Sequence, residues 1–147
     1  MATAADYVQV AQQIYVAYFG RPADLFGLNN MTAALAGSGA PTDIAGFKAA
    51  YGTNATVKSI IDNFGNSAES KALYTGDDAA FVTAIYQNVL NRDPDLPGLA
   101  FWAGAIANKT ISRAEAATQI MAAAVKVGGN APDAAIVNSK VAVARSE

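Results

Sequence analysis

The chain has 147 residues, with 10 Lys plus Arg against 12 Asp plus Glu and a formal net charge of -2. Charges of both signs are scattered, which excludes the clustered basic face that nucleic-acid binding needs, and 52% apolar residues make a globular chain, not a disordered one. Histidine and cysteine are both absent, which removes the usual general base, the commonest metal ligand, thiol catalysis, disulfides and Cys-ligated zinc.

The length fits a single domain, residues 1–147, with enough surface to bury a core without staples. No apolar run approaches the ~20 residues that span a bilayer. The opening MATAADYVQVAQQ has no basic n-region and no apolar h-region, so it does not read as a secretory signal peptide. The protein then stays inside, or its export signal lies elsewhere.

Tyr7, Val10, Ala11, Ile14, Tyr15, Tyr18 and Phe19 recur at helical spacing and predict a first helix over about 4–19, stopped at Gly20 with Pro22 beyond. Asp24 is a good N-cap for a second helix ending near Gly37-Ser38-Gly39. Thr42 would cap a short helix through Ala50. The next, Ala55–Phe64, carries Val57, Ile60, Ile61 and Phe64 on one face. Asn66-Ser67-Ala68-Glu69 has capping-box spacing and opens a short helix to about Tyr74.

Asp77 caps a long helix whose stripe is Phe81, Val82, Ile85, Tyr86, Val89 and Leu90. Asp95 opens a helix to about Ala107, and Ser112-Arg113-Ala114-Glu115 is a second capping box, starting a helix to about Lys126. Val127–Pro132 reads as a linker before a last helix from Asp133, with Val137, Val141 and Ala144 as its buried edge. That helix reaches Glu147 with no polar tail, which reads as a boundary inside a longer protein. No segment alternates with period two, so the expected class is all-α, a compact multi-helix bundle.

One stretch occurs twice. IYVAYFGRPADLFGLNNMTAAL, residues 14–35, aligns without a gap on IYQNVLNRDPDLPGLAFWAGAI, residues 85–106. The duplication predicts a bundle of two related helix–turn–helix halves, about 4–64 and 66–126. In the repeated turn Arg21 and Arg92 follow helix C-termini, where a cation meets unpaired carbonyls. Asp24 and Asp95 stand where the next helix begins and accept its free N–H groups. Gly27 and Gly98 fall in the first helical turn, where a crossing helix would leave no room for a Cβ. An Arg–Asp pair closing each elbow is the expected arrangement, so Arg21, Asp24, Gly27, Arg92, Asp95 and Gly98 form a structural motif.

Calcium is a competing ligand for Asn91, Asp93 and Asp95, or for Asp77 with Asp78. Neither run has the EF-hand spacing, so helix capping takes precedence and no metal ligand is assigned. Paired acids such as Asp62 with Glu69 occur, but nothing sets a pair in an apolar pocket. No phosphate-binding glycine pattern and no activated nucleophile is present, so no catalytic residue is assigned. Among aromatics, packing is the ordinary role. The alternative turns some of Tyr7, Tyr51, Tyr74 and Trp102 outward to stack on sugar rings, with Asn29, Asn30, Asn54, Asn63, Asn66 and Asn108 as hydrogen-bonding neighbours. Trp102, Tyr51, Tyr74, Asn29 and Asn30 are the ligand-binding candidates.

The pattern Ile-Tyr-x-x-x-Phe/Leu-Gly/Asn-Arg-x-x-Asp-x-x-Gly-Leu, followed by Phe101-Trp102, resembles a bacterial family of unknown function whose members recur in S-layer, RTX-type and adhesin-type surface proteins. Ser67–Ser70, Leu73-Tyr74 and Ser112–Glu115 follow that family's order of elements, and the resemblance covers most of residues 5–145. It is more distantly similar to phycobilisome linker domains. Asn29-Asn30-Met31 replaces the aromatic-rich ending in the first copy, and Asn91 replaces the usual glycine in the second.

The resemblance implies an extracellular protein exported by type I secretion, its signal at a C-terminus beyond this chain. It also implies a non-catalytic N-terminal domain that anchors an S-layer or related protein to lipopolysaccharide O-antigen or another surface polysaccharide. The alternatives are a linker-like protein–protein assembly module, with self-association, and a structural cap on a secreted adhesin.

Overall fold

The structure, a computed structural model, describes residues 2–21, 23–126 and 131–146, and every regular element among them is helical. The chain is an all-α fold. A 3-10 turn, Ala4–Tyr7, leads into α1, Val8–Phe19. Then come α2 (Leu25–Ser38), α3 (Ile44–Ala49), a 3-10 turn Ala50–Gly52, α4 (Ala55–Gly65) and α5 (Ala68–Leu73). The second half holds α6 (Asp78–Ile85), a π-helical turn Tyr86–Leu90, α7 (Leu96–Ala107), α8 (Arg113–Val125) and α9 (Ala131–Ser146).

N-caps set most of these starts. The side chains of Asp24, Asp43, Asp77 and Asp95 each accept the backbone N–H three residues on, satisfying a donor that has no partner inside the helix. Ser112 and Glu115 close a full capping box. Three expectations are corrected. Asp43, not Thr42, caps α3, its carboxylate accepting from Gly46 N–H at 2.7 Å. Ser67, not Asn66, caps α5, and Glu69 leaves the cap for an ion pair. α9 begins at Ala131, ahead of Asp133. The proposed turn at Pro22, the linker residues 127–130 and the side chain of Ala144 lie outside the described residues.

α1 and α8 form the middle of the molecule. From Val10 to Tyr18, α1 is buried on almost every side, because α2, α5, α8 and α9 all pack around it. Ile14, Ala17 and Tyr18 of α1 are fully enclosed. α8 presents Ala114, Ala116, Ala117 and Ala124, short side chains that let neighbouring helices come close. At the α4–α8 crossing a Cβ on Gly65 would lie 2.5 Å from Ala114 Cα, a backbone atom that cannot yield. Val137 and Val141 carry α9 into the same core.

Polar groups inside this core are satisfied. The Tyr7 hydroxyl donates to Ala40 O at 2.5 Å, and that of Tyr18 meets Ala114 O and Thr118 Oγ1. Burial pushes the Tyr18 phenol strongly up. Among the described residues no buried side-chain nitrogen or oxygen lacks a partner.

Candidate functional site

The duplicated turn is built the same way twice. α1 ends at Gly20 with φ 67°, and the π-helical turn ends at Asn91 with φ 57°. Both lie in the left-handed region that closes helices, open to glycine and, next best, to asparagine. At the start of the following helix, the cap aspartate turns back on its own glycine. Asp24 Oδ1 accepts Gly27 N–H at 2.6 Å, and Asp95 Oδ1 accepts Gly98 N–H at 2.9 Å. A Cβ on Gly27 would lie 2.6 Å from the Tyr15 hydroxyl, and one on Gly98 3.2 Å from that of Tyr86. The crowding group is thus a tyrosine of the preceding helix, itself part of the repeat.

The arginines do not close these elbows onto their aspartates as expected. Arg21 grips Glu69 of α5 with two hydrogen bonds, of 2.7 and 2.8 Å. Arg92 grips Asp133 of α9 with two of 2.7 Å. Each guanidinium also lies against a ring, Arg21 over Phe19 at 5.3 Å and Arg92 over Tyr86 at 5.1 Å. The Arg21 guanidinium holds the Glu69 carboxyl below the usual glutamate range. The aspartates were already occupied by capping, so the arginine forks went to carboxylates elsewhere in the fold.

The five ligand-binding candidates sit on different elements. Tyr74 is buried after α5, where its hydroxyl donates to Ala17 O at 2.7 Å and accepts from Asn88 Nδ2 at 3.0 Å. Burial pushes its phenol up to about 12. Its ring is core, and so is that of Tyr7. Tyr51 is half-buried and donates to Asp62 Oδ1 at 2.5 Å, with Lys58 Nζ 4.8 Å from its ring centre. Asn29 and Asn30 are exposed on α2. Trp102 is buried on α7, its indole N–H donating to the Tyr86 hydroxyl at 3.2 Å.

Of these, Trp102 borders a concavity that has an exposed aromatic ring at its rim. A groove of about 490 Å³ runs between α3, α7 and α8. Trp102 and Ala122 are its buried floor, and Ala45, Ala49 and Ala123 give low walls. Phe101 stands on its rim 65% exposed, edge-on to the Trp102 ring at 4.9 Å and 84°. Lys48 and Lys126 complete the lining, and neither ammonium has a carboxylate partner among the described residues. An exposed ring braced by a buried one is a stacking platform, since a ring held in place loses little freedom on contact. Phe101, Lys48 and Lys126 were not among the candidates read from sequence. The signal for Phe101 was its place off the Leu99–Trp102–Ile106 stripe, which turns it away from the core.

In two other cavities several of the lining polar groups are already engaged. One of about 500 Å³ is bordered by Tyr74, Phe81 and Arg113, and the other, of about 450 Å³, by Arg113, Ser112 and Glu115. Arg113 is paired with Asp78 at 2.8 Å and lies over Phe81, while Ser112 and Glu115 hold each other in the capping box. The acids considered for calcium are spread over separate tasks: Asp77 and Asp95 cap, Asp78 pairs with Arg113, and Asp93 accepts from Gln87 Nε2 at 2.7 Å. Among the described residues no three acidic side chains converge to hold a metal ion. Nor is any described helix long and apolar enough to cross a membrane.

Residues 61–125 match the family model described as a domain of unknown function, DUF4214. The matched stretch runs from the end of α4 through α8, so it contains the second elbow, Trp102 and part of the groove, and leaves the first elbow outside. No curated protein and no solved structure matches the chain.

Proposed function

We propose that the protein is a non-catalytic attachment module that binds cell-surface polysaccharide, with lipopolysaccharide O-antigen as the leading candidate, and acts outside the cell as part of an S-layer or related secreted surface protein. The observation that carries this reading is the Phe101 ring, exposed at the rim of a ligand-sized groove and braced by Trp102. Sugars present a C–H face that stacks on such rings, while their hydroxyls stay hydrated or meet polar groups at the rim. The ionisable groups of the groove are two lysines with no carboxylate beside them, an arrangement suited to holding a ligand and lacking an acid–base pair. The repeated elbow motif supports the same reading through its resemblance to domains of bacterial surface proteins.

The test is retention of the purified chain on cells that carry O-antigen and on an isogenic strain stripped of it. Binding should be confined to the first strain, and Phe101→Ala should abolish most of it while moving Tm little, because that ring is mostly in solvent. Equal retention on both strains would overturn the reading.

A second reading, an assembly module, is favoured by one observation. Leu25 and Leu96 occupy equivalent places in the two elbows and are 74% and 80% exposed, with Phe26 at 77% beside the first. Large apolar side chains displayed at a repeated position suit contact with protein. Sedimentation as a monomer at every concentration, with no partner captured, would remove it.

A further inference from the structure

The polar chemistry of the groove is unusually narrow. Its walls are alanines, its rim aromatic has no polar atom, and the one N–H on its floor, that of Trp102, is already given to Tyr86. Side-chain hydrogen bonding to a bound molecule therefore falls to Lys48 and Lys126. Both stand at helix ends, Lys48 in the last turn of α3 and Lys126 at the C-cap of α8. Each such end carries roughly -0.5 of an elementary charge, so two ammoniums over two helix ends leave a local charge of about +1. Among the described residues no carboxylate lines the groove to cancel it, although the chain as a whole is acidic.

Resting on the reading of this groove as a sugar site, we infer that its ligand is an acidic polysaccharide, one whose sugars bear carboxylate or phosphate groups. A neutral sugar would find a ring to stack on and few fixed side-chain partners for its hydroxyls, leaving desolvated polar groups unpaired. An anionic sugar keeps the stacking on Phe101 and adds charge-assisted bonds from ammoniums that have no internal competitor. The low alanine walls leave space for the substituent as well as the ring. Four other cations are already committed to carboxylates and do not compete for such a ligand: Arg21 with Glu69, Lys58 with Asp62, Arg92 with Asp133 and Arg113 with Asp78.

The experiment titrates the full chain with three polymers on one backbone: dextran, carboxymethyl dextran and dextran phosphate. At least one anionic polymer should bind, about tenfold or more tighter than dextran, and its affinity should fall with added salt. The double variant Lys48→Gln/Lys126→Gln should erase that advantage with Tm unchanged. Which anionic polymer binds better names the group recognised. Equal binding of dextran, or an advantage that survives the double variant, overturns the inference. So does failure of both anionic polymers while the chain still binds O-antigen-bearing cells, an outcome that leaves the attachment reading standing. Failure on the cells as well overturns both.

Discussion

The two elbows use one design with two different anchors. In the first, the Arg21–Glu69 pair sits in solvent, with 48% and 46% of the two side chains exposed. In the second, Asp133 is 7% exposed and Arg92 reaches it from the surface. Met31 packs the first half where Trp102 packs the second, and the tryptophan adds a bond to Tyr86. A buried glutamine, Gln12, ties the first elbow through Ala23 N–H, and its repeat counterpart is Thr83. The turn is therefore the same in both places, while the ties that anchor it differ. The parts that recur make the angle between helices; the parts that differ decide what the angle holds.

That contrast can be broken most forcefully at the packed position. Trp102→Ala should cost about 3–5 kcal/mol, the range for a core tryptophan, and Met31→Ala less than that variant, within the range of about 2–5 kcal/mol for a buried methionine. Denaturant titration measures both, and equal costs would mean that the two halves are packed alike.

The arginines come next. Arg92→Ala, which strips a partner from a buried carboxylate, should cost about 2–3 kcal/mol, against less than about 1 kcal/mol for Arg21→Ala. Acid sharpens the second value. Because Arg21 lowers the folded-state pKa of Glu69, that pair stabilises above the unfolded glutamate value of about 4.5 and fades as pH falls through the lowered one. The gap between wild type and Arg21→Ala should thus narrow as pH falls below 4.5 and close once it is below the lowered value. A gap that widens in acid would refute the assignment.

The smallest effects belong to the helix ends. Asn91→Gly should change stability by only a few tenths of a kcal/mol, since both residues accept that backbone. Gly20→Asn should cost about 1 kcal/mol, because a Cβ there would meet the Asn88 amide, 2.9 Å from its Oδ1. Thermal melts of the two variants decide whether the exchange is asymmetric in this direction.

Much of this scaffold was legible beforehand because its grammar is local. Asp24, Asp77, Asp95 and Ser112 announced helix starts through bonds that span three residues, and the apolar stripes followed from helical period alone. The arginine pairings were not legible. Glu69 is 48 residues from Arg21, and Asp133 is 41 from Arg92, and nothing along the chain distinguishes them from other acids. The sequence did single out Trp102, but it could not show that Trp102 floors a groove, because that concavity exists only where α3, α7 and α8 meet. Lys48 and Lys126 read alone as ordinary helix-end cations. Tyr74 was legible as an aromatic and not as a buried one, since its partners come from α1 and from the π-helical turn.

That tyrosine ties the two copies into one cooperative unit. Its hydroxyl donates a hydrogen bond to Ala17 O, in the first copy's long helix, and accepts one from Asn88 Nδ2, in the second's. Peeling either helix away would strand a phenol in an apolar surround with one bond missing, a penalty of about 1–3 kcal/mol charged to whichever half remained. A chain that carries one motif twice thereby gains a reason to melt as a whole, through a contact that neither stretch could make alone.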